Sequence, residues 1–152
     1  MEATQQVIFK LGEEEYGFDI MLVNAIETYN GIVPVPNASE HILGIINLRG
    51  DVIPVFSLRK KFGMPEADLA TSQLIVTKSN DIMVAFKVDA VKEIIGIEAQ
   101  ELSPMPQIVK NEKTTYAKCV ANKDGHMIIL LDHDGILNSK EQSDAQALIK
   151  NR

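Results

Sequence analysis

The sequence predicts a mostly β fold built from two small β-barrels packed side by side. First, short apolar runs of strand-forming residues, separated by turn residues, dominate the 152-residue chain. Second, apolar spacing of the helical type is confined to a few short segments. Third, the same series of markers occurs twice, about 70 residues apart, which is close to the span of one small β-barrel.

The predicted strands follow one another along most of the chain. Residues 7–11 and 16–20 are expected to form an opening hairpin, because Gly12 and three glutamates between them make a polar turn. Further strands are expected at residues 45–48, 52–57, 73–78, 82–88, 116–122 and 126–132. Pro54 indicates an edge or a bulge in its strand, since proline cannot donate a ladder hydrogen bond.

Helical spacing is limited to a few segments. Residues 20–27 and 90–95 each hold about two turns of apolar spacing, with Asp19 and Asp89 as the expected N-caps. The clearest helix is the C-terminal one, expected over residues 139–152. Its signals are a capping box and a narrow apolar stripe, formed by Ser139 with Gln142 and by Ala145, Leu148 and Ile149 respectively.

The repeated markers indicate an internal duplication. Each series contains an aspartate cap, a Val-x-x-Ile pair, two prolines and a glycine turn before a last strand. The first series is Asp19, Val23, Ile26, Pro34, Pro36 and Gly50, and the second is Asp89, Val91, Ile94, Pro104, Pro106 and Gly125. Residues 12–70 are therefore expected to form the first barrel and residues 71–138 the second, with the N-terminal strand joining either one.

Composition and charge exclude several classes of protein. A net charge of −6 argues against a nucleic-acid-binding protein, which needs a basic surface. The basic run at residues 59–61 is expected to be a solvated edge. No signal peptide is visible, and the longest apolar runs are too short to span a membrane. The single Cys119 favours a reducing compartment. We expect a cytoplasmic protein that does not insert directly into a membrane.

No catalytic, metal or cofactor site is predicted. His126 and residues 132–134 lack the spacing of metal ligands and are better explained as a polar turn before Gly135. Cys119 lies in a predicted strand and is expected to be a buried, inert thiol. Phosphate-binding loops, nucleophile elbows and zinc-protease motifs are absent from the sequence. A hydrolase would need a nucleophile and a base, and neither is visible.

The most informative segment is the hairpin predicted over residues 44–55. Two apolar strands flank a loop of Gly50 and Asp51, and glycine at the first loop position suits a type II′ turn, which needs a positive φ there. Arg49 then lies at the tip beside the Asn47 amide. Its guanidinium could pair with a nearby carboxylate of the same chain, or bind a partner's carboxylate or carbonyls, and both can occur together.

Apolar residues from other segments offer a surface for a partner. Val23, Leu48, Val52 and Ile94 could line a groove between the two barrels. An apolar groove with one positioned cation suits a partner helix. Ordinary core packing is the alternative explanation for each of the four residues.

The hairpin sequence resembles the chemotaxis coupling protein family, CheW. The family's central motif is met almost throughout by residues 44–55, which contain Asn47-Leu48-Arg49-Gly50, and by residues 58–62. The resemblance covers residues 7–139 and implies a single CheW-like domain. It also implies a mostly β fold with two SH3-like five-stranded β-barrels packed side by side, short helical turns and a C-terminal helix.

The resemblance implies an adaptor with two kinds of partner. Such proteins join the cytoplasmic tips of chemoreceptors, the methyl-accepting chemotaxis proteins, to the regulatory domain of the histidine kinase CheA in membrane-associated arrays. Carried over to this chain, the implied receptor-binding residues are Val23, Asn47, Arg49, Gly50 and Ile94. The implied kinase-binding residues are Met105 and Ile108, although an ordinary proline-stiffened loop explains these two as well.

One departure from the family pattern concerns the partner of Arg49. The family often has Val-x-Glu-Ile after the first strand, and that glutamate can pair with the motif arginine. Here the position holds Ala25, and Glu27 lies two residues away, on a different face if the segment is helical. Either Glu27 pairs with Arg49 from an altered backbone, or Arg49 is freer to meet a partner.

We therefore predict a non-enzymatic adaptor that couples chemoreceptors to CheA in bacterial chemotaxis signal transduction. Two alternatives remain open from the sequence. The chain could be a CheW-like adaptor of another receptor–kinase pathway, such as one that controls surface motility. It could also be a small-ligand-binding β-barrel domain, with Arg49 holding the carboxylate of a metabolite.

Overall fold

The computed structural model describes residues 4–28, 31–36, 40–79, 82–105, 116–137 and 139–150. Its strands are β1 (Thr4–Leu11), β2 (Glu14–Asp19), β3 (Val23–Thr28), β4 (Ile42–Leu48), β5 (Asp51–Ser57), β6 (Gln73–Ser79), β7 (Ile82–Val88), β8 (Ala90–Ile97), β9 (Leu102–Pro104), β10 (Ala117–Lys123) and β11 (His126–Leu131). Its helices are α1 (Leu58–Lys61), α2 (His133–Ile136) and α3 (Ser139–Lys150), and two 3-10 turns cover Ile20–Leu22 and Ala99–Glu101. The mostly β prediction is confirmed. Each predicted strand and the C-terminal helix are present close to their expected bounds.

The strands form two mostly antiparallel sheets. The six-stranded sheet has the order β8-β1-β2-β11-β10-β9, and the five-stranded sheet has the order β3-β6-β7-β5-β4. Each sheet contains one parallel pair, β2 with β11 and β5 with β7. The predicted closure into barrels is not found. Among the described strands, β8 and β9 are the edges of the larger sheet, and β3 and β4 are the edges of the smaller one.

Each sheet takes strands from both halves of the chain. β2, expected in the first barrel, lies in the six-stranded sheet, whereas β6 and β7, expected in the second, lie in the five-stranded sheet. The sheets therefore do not follow the predicted boundary between residues 70 and 71. The apolar pattern indicates which segments are strands, but it does not say which of two equivalent strands each one pairs with. The N-terminal strand β1 joins the six-stranded sheet.

Residue pairing follows the same pattern in both sheets, which supports the duplication. A row of paired residues in the five-stranded sheet runs through Gly44, Val55, Ala85, Val76 and Ala25. The corresponding row in the six-stranded sheet runs through Cys119, Leu130, Gly17, Ile8 and Glu93. The hairpins β4–β5 and β10–β11 are therefore equivalent, and Glu93 on β8 is the counterpart of Ala25 on β3.

The chain passes from one sheet to the other at two aspartates. Asp19 ends β2 and is followed by the 3-10 turn Ile20–Leu22, and Asp89 separates β7 from β8. Asp19 is an N-cap as predicted, because its carboxylate accepts a hydrogen bond from the Met21 N–H at 2.9 Å. The helices predicted after both aspartates are wrong, since these segments are the edge strands β3 and β8. Exposure alternates residue by residue along β3, which is the period of a strand.

The two sheets share one aromatic core. Phe18 of β2 and Phe86 of β7 join the sheets, with ring centroids 5.6 Å apart, and Phe9 and Phe56 extend the stack on either side. All four rings are buried. Each sheet also has an apolar cluster of its own, formed by Ile8, Ile97, Cys119, Ala121, Ile128 and Leu130 in one and by Ile46, Ile53, Val55, Leu74, Val76 and Ala85 in the other. Cys119 is buried as predicted, and burial raises the pKa of its thiol.

Ion pairs between segments remote in sequence hold α1 and α3 to each other and to residues that flank the strands. In α1, Arg59 bonds to Asp89, and Lys61 bonds to the buried carboxylate of Glu141 in α3. The second oxygen of Glu141 lies 2.9 Å from Nδ1 of His41. The prediction that the basic run is a solvated edge is therefore wrong for two of its three residues. Their acidic partners come from elsewhere in the chain, so the run itself gave no indication of them.

Replacing Gly44 with alanine is expected to lower the free energy of unfolding by about 2–4 kcal/mol. A Cβ at this position would lie 2.2 Å from the carbonyl oxygen of Val33. The backbone must then separate, and two hydrogen bonds of 2.9 Å between Val33 and Ile45 are weakened or lost. Urea denaturation measures the change. Gly96→Ala is the matched control, since no atom lies within 4 Å of its added Cβ. Equal stability of the two variants would contradict the prediction.

Candidate interaction site

The β4–β5 hairpin closes through a two-residue turn of Arg49 and Gly50. Leu48 pairs with Asp51 across the turn, and φ is +53° at Arg49 and +91° at Gly50. Positive φ at both central residues is the geometry of a type I′ turn. The predicted type II′ turn of Gly50 and Asp51 is therefore wrong by one residue, because Asp51 already pairs as the first residue of β5.

The side chain of Asn47 braces this turn. Its Oδ1 accepts a hydrogen bond from the Gly50 N–H at 3.1 Å. Left-handed backbone is strained for a residue with a Cβ such as Arg49, by on the order of 1–3 kcal/mol. A local bond from an asparagine side chain to the backbone is a usual way to support a turn of this kind. Arg49 therefore extends from a braced turn at the tip of the hairpin.

Among the described residues, Arg49 has one carboxylate partner, and it is still open to solvent. Its Nη2 lies 3.9 Å from Oε1 of Glu27, and 77% of its side chain is exposed. Of the two alternatives left by the sequence, pairing with Glu27 is the one found. Ala25 and Glu27 share a face because the segment is a strand, so the argument that placed Glu27 on another face was wrong. Because the pair is so exposed, it contributes less than about 1 kcal/mol to folding stability. Its main effect is to orient the guanidinium.

The same contact shows that the five-stranded sheet is strongly curled. Glu27 lies on β3 and Arg49 follows β4, and these strands are the two edges of the sheet. An isolated bridge between Val33 and Ile45 places further backbone against the β4 edge. The two edges thus approach each other at the end of the sheet that carries the Arg49 turn.

The β10–β11 hairpin repeats this geometry with different chemistry. Its turn consists of Asp124 and Gly125, with φ values of +51° and +83°. Arg49 and Asp124 are the two non-glycine residues with positive φ in the described parts of the chain. Asn122 stands where the first hairpin has Asn47. This Asn-x-x-Gly spacing, present in both hairpins, is a sequence signal from which the equivalence of the two turns could have been predicted.

The remaining predicted site residues are spread over both sheets. Val23 is half-buried at the start of β3 and packs against the shared core. Ile94 lies on β8 in the other sheet and is 52% exposed. Their grouping with the Arg49 turn into one groove stays a prediction. Met105 is half-buried just after β9, and Ile108 lies outside the described residues.

Two further findings concern the described residues alone. They contain no group of three or more His, Cys, Asp or Glu side chains that could hold a metal ion. The side chains of His133 and Asp134, weighed as metal ligands in the sequence, are not among those described. Within the same part of the chain, every helix is too short or too polar to cross a membrane.

The fold and the site together define a class of protein. It is a duplicated, mostly β domain that exposes an arginine on a braced hairpin turn. The chain matches the family described as "CheW-like domain" over residues 5–141. It therefore belongs to the CheW-like domain family, as the resemblance of the hairpin motif predicted.

Individual relatives are similar over nearly the whole chain. The "Chemotaxis protein CheW" of Rhizobium meliloti (strain 1021) is 31% identical over 140 residues, covering 91% of this chain and 90% of that protein. The protein of the same name from Treponema pallidum (strain Nichols) is 30% identical over 145 residues, covering 92% and 85%. The crystal structure of the scaffolding protein TtCheW from Thermoanaerobacter tengcongensis matches with a TM-score of 0.82 and 33% identity, covering 91% and 94%.

Proposed function

We propose that this chain is a non-enzymatic adaptor of bacterial chemotaxis, which couples the cytoplasmic tips of chemoreceptors to the histidine kinase CheA. Membership of the CheW-like family supports this role, as do the relatives named chemotaxis protein CheW and the similar scaffolding protein. The protein acts in the cytoplasm and is recruited to membrane-associated receptor arrays. Weak contacts suit such a role, because linked sites gain avidity.

The observation that carries the proposal is the residue at the first position of the hairpin turn. Type I′ turns favour asparagine, aspartate or glycine where φ is positive, and the equivalent hairpin follows this rule with Asp124. The first hairpin instead has Arg49, which turn chemistry does not favour. Backbone strain at an exposed residue is typical of binding sites. A need for an exposed guanidinium at this tip explains why an arginine occupies a strained position.

The local contacts prepare the guanidinium for binding. Asn47 braces the turn and Glu27 orients one Nη group, while most of the side chain stays exposed. The other N–H donors of Arg49 suit a partner's carboxylate or backbone carbonyls. Because the group is held in place before the partner arrives, less conformational entropy is lost on binding.

The receptor surface that we assign extends from the hairpin to the edge strands. It comprises Val23, Asn47, Arg49, Gly50 and Ile94. Ile94 is a large apolar residue that is half exposed on the edge strand β8, so its side chain is available to an apolar face of a partner. An amphipathic helix from a receptor tip would place its apolar face on this surface and a polar group at Arg49.

We further propose that the two sheets belong to two SH3-like five-stranded barrels of one CheW-like domain, over residues 7–139. The approach of Glu27 to Arg49 at opposite edges of one sheet supports this description, and so does the separate apolar cluster in each sheet. The regulatory domain of CheA then contacts the ends of the barrels. Met105 and Ile108 are the residues that we assign to that contact.

Replacing Arg49 with asparagine is expected to weaken binding of a soluble receptor-tip fragment at least tenfold. Tenfold corresponds to about 1.4 kcal/mol, which is ordinary for a hydrogen bond to a charged group. Folding stability should stay the same or rise, because asparagine suits a type I′ turn better than arginine does. Isothermal titration calorimetry with the fragment measures the affinity, and urea denaturation measures the stability.

The matched control removes another exposed cation. Lys60→Asn, on α1, should leave receptor binding unchanged, and both variants should bind the CheA regulatory domain as wild type does. Undiminished binding of receptor tips by folded Arg49→Asn protein would disprove the role of the hairpin. A thermal shift with carboxylate metabolites, together with no binding of receptor tips, would favour the ligand-binding alternative instead.

A further inference from the structure

A cavity of about 240 Å³ opens between β8 and the β10–β11 hairpin. Its floor is apolar and is formed by Ile8, Ile95 and Ile128. Its rim is charged and consists of Glu15, Lys92, Glu93, Lys123, Asp124 and His126. By the internal repeat, β8 corresponds to β3 and this hairpin to the one that bears Arg49. The cavity therefore occupies the place where, in the other sheet, Glu27 meets Arg49.

The basic side chains on the rim already have acidic partners. The Nζ of Lys92 lies 3.2 Å from Glu15, and Nδ1 of His126 lies 3.6 Å from the other oxygen of the same carboxylate. The Nζ of Lys123 lies 3.2 Å from Glu101, which is not part of the rim. These basic side chains are therefore directed at carboxylates of their own chain.

Two carboxylates on the rim have no such ion-pair partner within the described residues. The carboxylates of Glu93 and Asp124 form no hydrogen bond or ion pair with any residue in the described ranges, and both residues are exposed. Asp124 occupies the turn position that holds Arg49 in the first hairpin. The first hairpin thus pairs its own arginine with an acid on β3, the opposite edge strand of its sheet. In the other sheet, β8 and the β10–β11 hairpin each contribute an acid to the cavity, and neither contributes an arginine.

The size and floor of the cavity restrict what can enter it. Pockets for whole small molecules usually measure about 300–1,000 Å³, so this cavity is better matched to a single side chain. An apolar floor suits the methylene stem of an arginine or lysine, whose charged head then reaches the polar rim. A planar guanidinium can bond two carboxylates at once, which a compact ammonium group does less well.

We propose that this cavity binds an arginine side chain of a partner protein. The stem lies on Ile8, Ile95 and Ile128, and the guanidinium pairs with Glu93 and Asp124. The bound arginine completes from outside the same kind of pair that Glu27 and Arg49 form within the chain. The site lies on the other sheet from the Arg49 turn, so it does not depend on the receptor role assigned to that turn.

The test uses N-acetyl-arginine amide as the probe and the full, isotope-labelled chain in an NMR titration. Shift changes are expected to be confined to amides around Ile8 of β1, of β8 and of the β10–β11 hairpin. A double variant, Glu93→Gln with Asp124→Asn, should bind the probe at least tenfold more weakly. It should fold normally, because both positions are exposed and asparagine suits the turn. Glu13→Gln, which removes an exposed carboxylate elsewhere, should bind as wild type does.

N-acetyl-citrulline amide, which has a similar shape without the charge, is expected to cause no localised shifts. The proposal is overturned by equal shifts with the citrulline probe, by unchanged binding in the double variant, or by arginine shifts that are scattered or absent. Localised binding of N-acetyl-glutamate amide would also overturn it, since the lysines and not the acids would then define the site.

Discussion

Replacing Asp89 with asparagine is expected to lower the free energy of unfolding by about 3–5 kcal/mol. Asp89 lies where the chain passes from β7 to β8. Its carboxylate accepts hydrogen bonds of 2.6 Å from both Nε and Nη2 of Arg59, and one of 2.7 Å from the Gly12 N–H. An amide here would leave the guanidinium of Arg59, whose side chain is only 17% exposed, without its counter-charge. Urea denaturation followed by circular dichroism measures the loss.

The same ion pair predicts a specific response to acid. Burial alone would raise the pKa of Asp89, but the bonds from Arg59 and Gly12 outweigh burial and hold this pKa below its usual value. The folded state therefore favours the ionised carboxylate more than the unfolded state does. The stabilisation of the folded state by this ionised carboxylate is complete above about pH 4, the pKa of an aspartate in the unfolded chain. It is lost as the pH falls through the lower pKa of Asp89 in the folded state. The stability gap between wild type and Asp89→Asn should narrow below that pH.

Asp51→Asn provides the control for this prediction. It removes an exposed carboxylate at the first position of β5, and its effect on stability should stay within about 0.5 kcal/mol. If Asp89→Asn proved no more harmful than Asp51→Asn at neutral pH, the aspartate at the strand crossover would not be the stabilising contact that its geometry indicates.

Replacing Phe86 with alanine is expected to lower the free energy of unfolding by about 3–5 kcal/mol. The ring is fully buried in the core shared by the two sheets. Its centroid lies 5.6 Å from that of Phe18 and 6.1 Å from that of Phe56. The loss combines the transfer of a large apolar group with the cavity left between two rigid sheets, which cannot close together fully. The midpoint of urea unfolding reports the change.

Phe18→Ala tests whether the two rings stabilise the protein as a pair. Phe18 and Phe86 occupy the middle of the shared core, one from each sheet, so the double variant should lose less stability than the sum of the single variants. Met127→Ala, at an exposed position on β11, should change stability by no more than about 0.5 kcal/mol. Strict additivity of Phe18→Ala and Phe86→Ala would mean that the core does not couple the sheets.

The strands were predictable because their signals act over a few residues. Alternating or continuous apolar runs ended by turn residues located β1, β2, β4 to β7, β10 and β11 close to their bounds. β3 and β8 were mistaken for helices because a Val-x-x-Ile spacing in a short segment fits either structure. Both are edge strands, and an edge strand carries a weaker apolar pattern than one covered on both sides.

The candidate site was predictable in its central residue and less so in its surroundings. The hairpin tip with Arg49 and Asn47 followed from the sequence, although the turn begins one residue earlier than expected. The pairing with Glu27 was left open, since the face on which Glu27 lies depends on whether its segment is a helix or a strand. The cavity that is lined by both Glu93 and Asp124 was not foreseen at all.

By itself, the sequence determined the local structure of this protein and its family. Apolar period and turn residues specify strands, hairpins and the C-terminal helix, and the motif around Arg49 identifies a CheW-like domain. Only the tertiary structure decided which strands share a sheet, and thereby which side chains meet. Each half of a duplicated chain offers its strands two partners of nearly the same pattern. The choice between them depends on the packing of one shared core, which no short segment encodes.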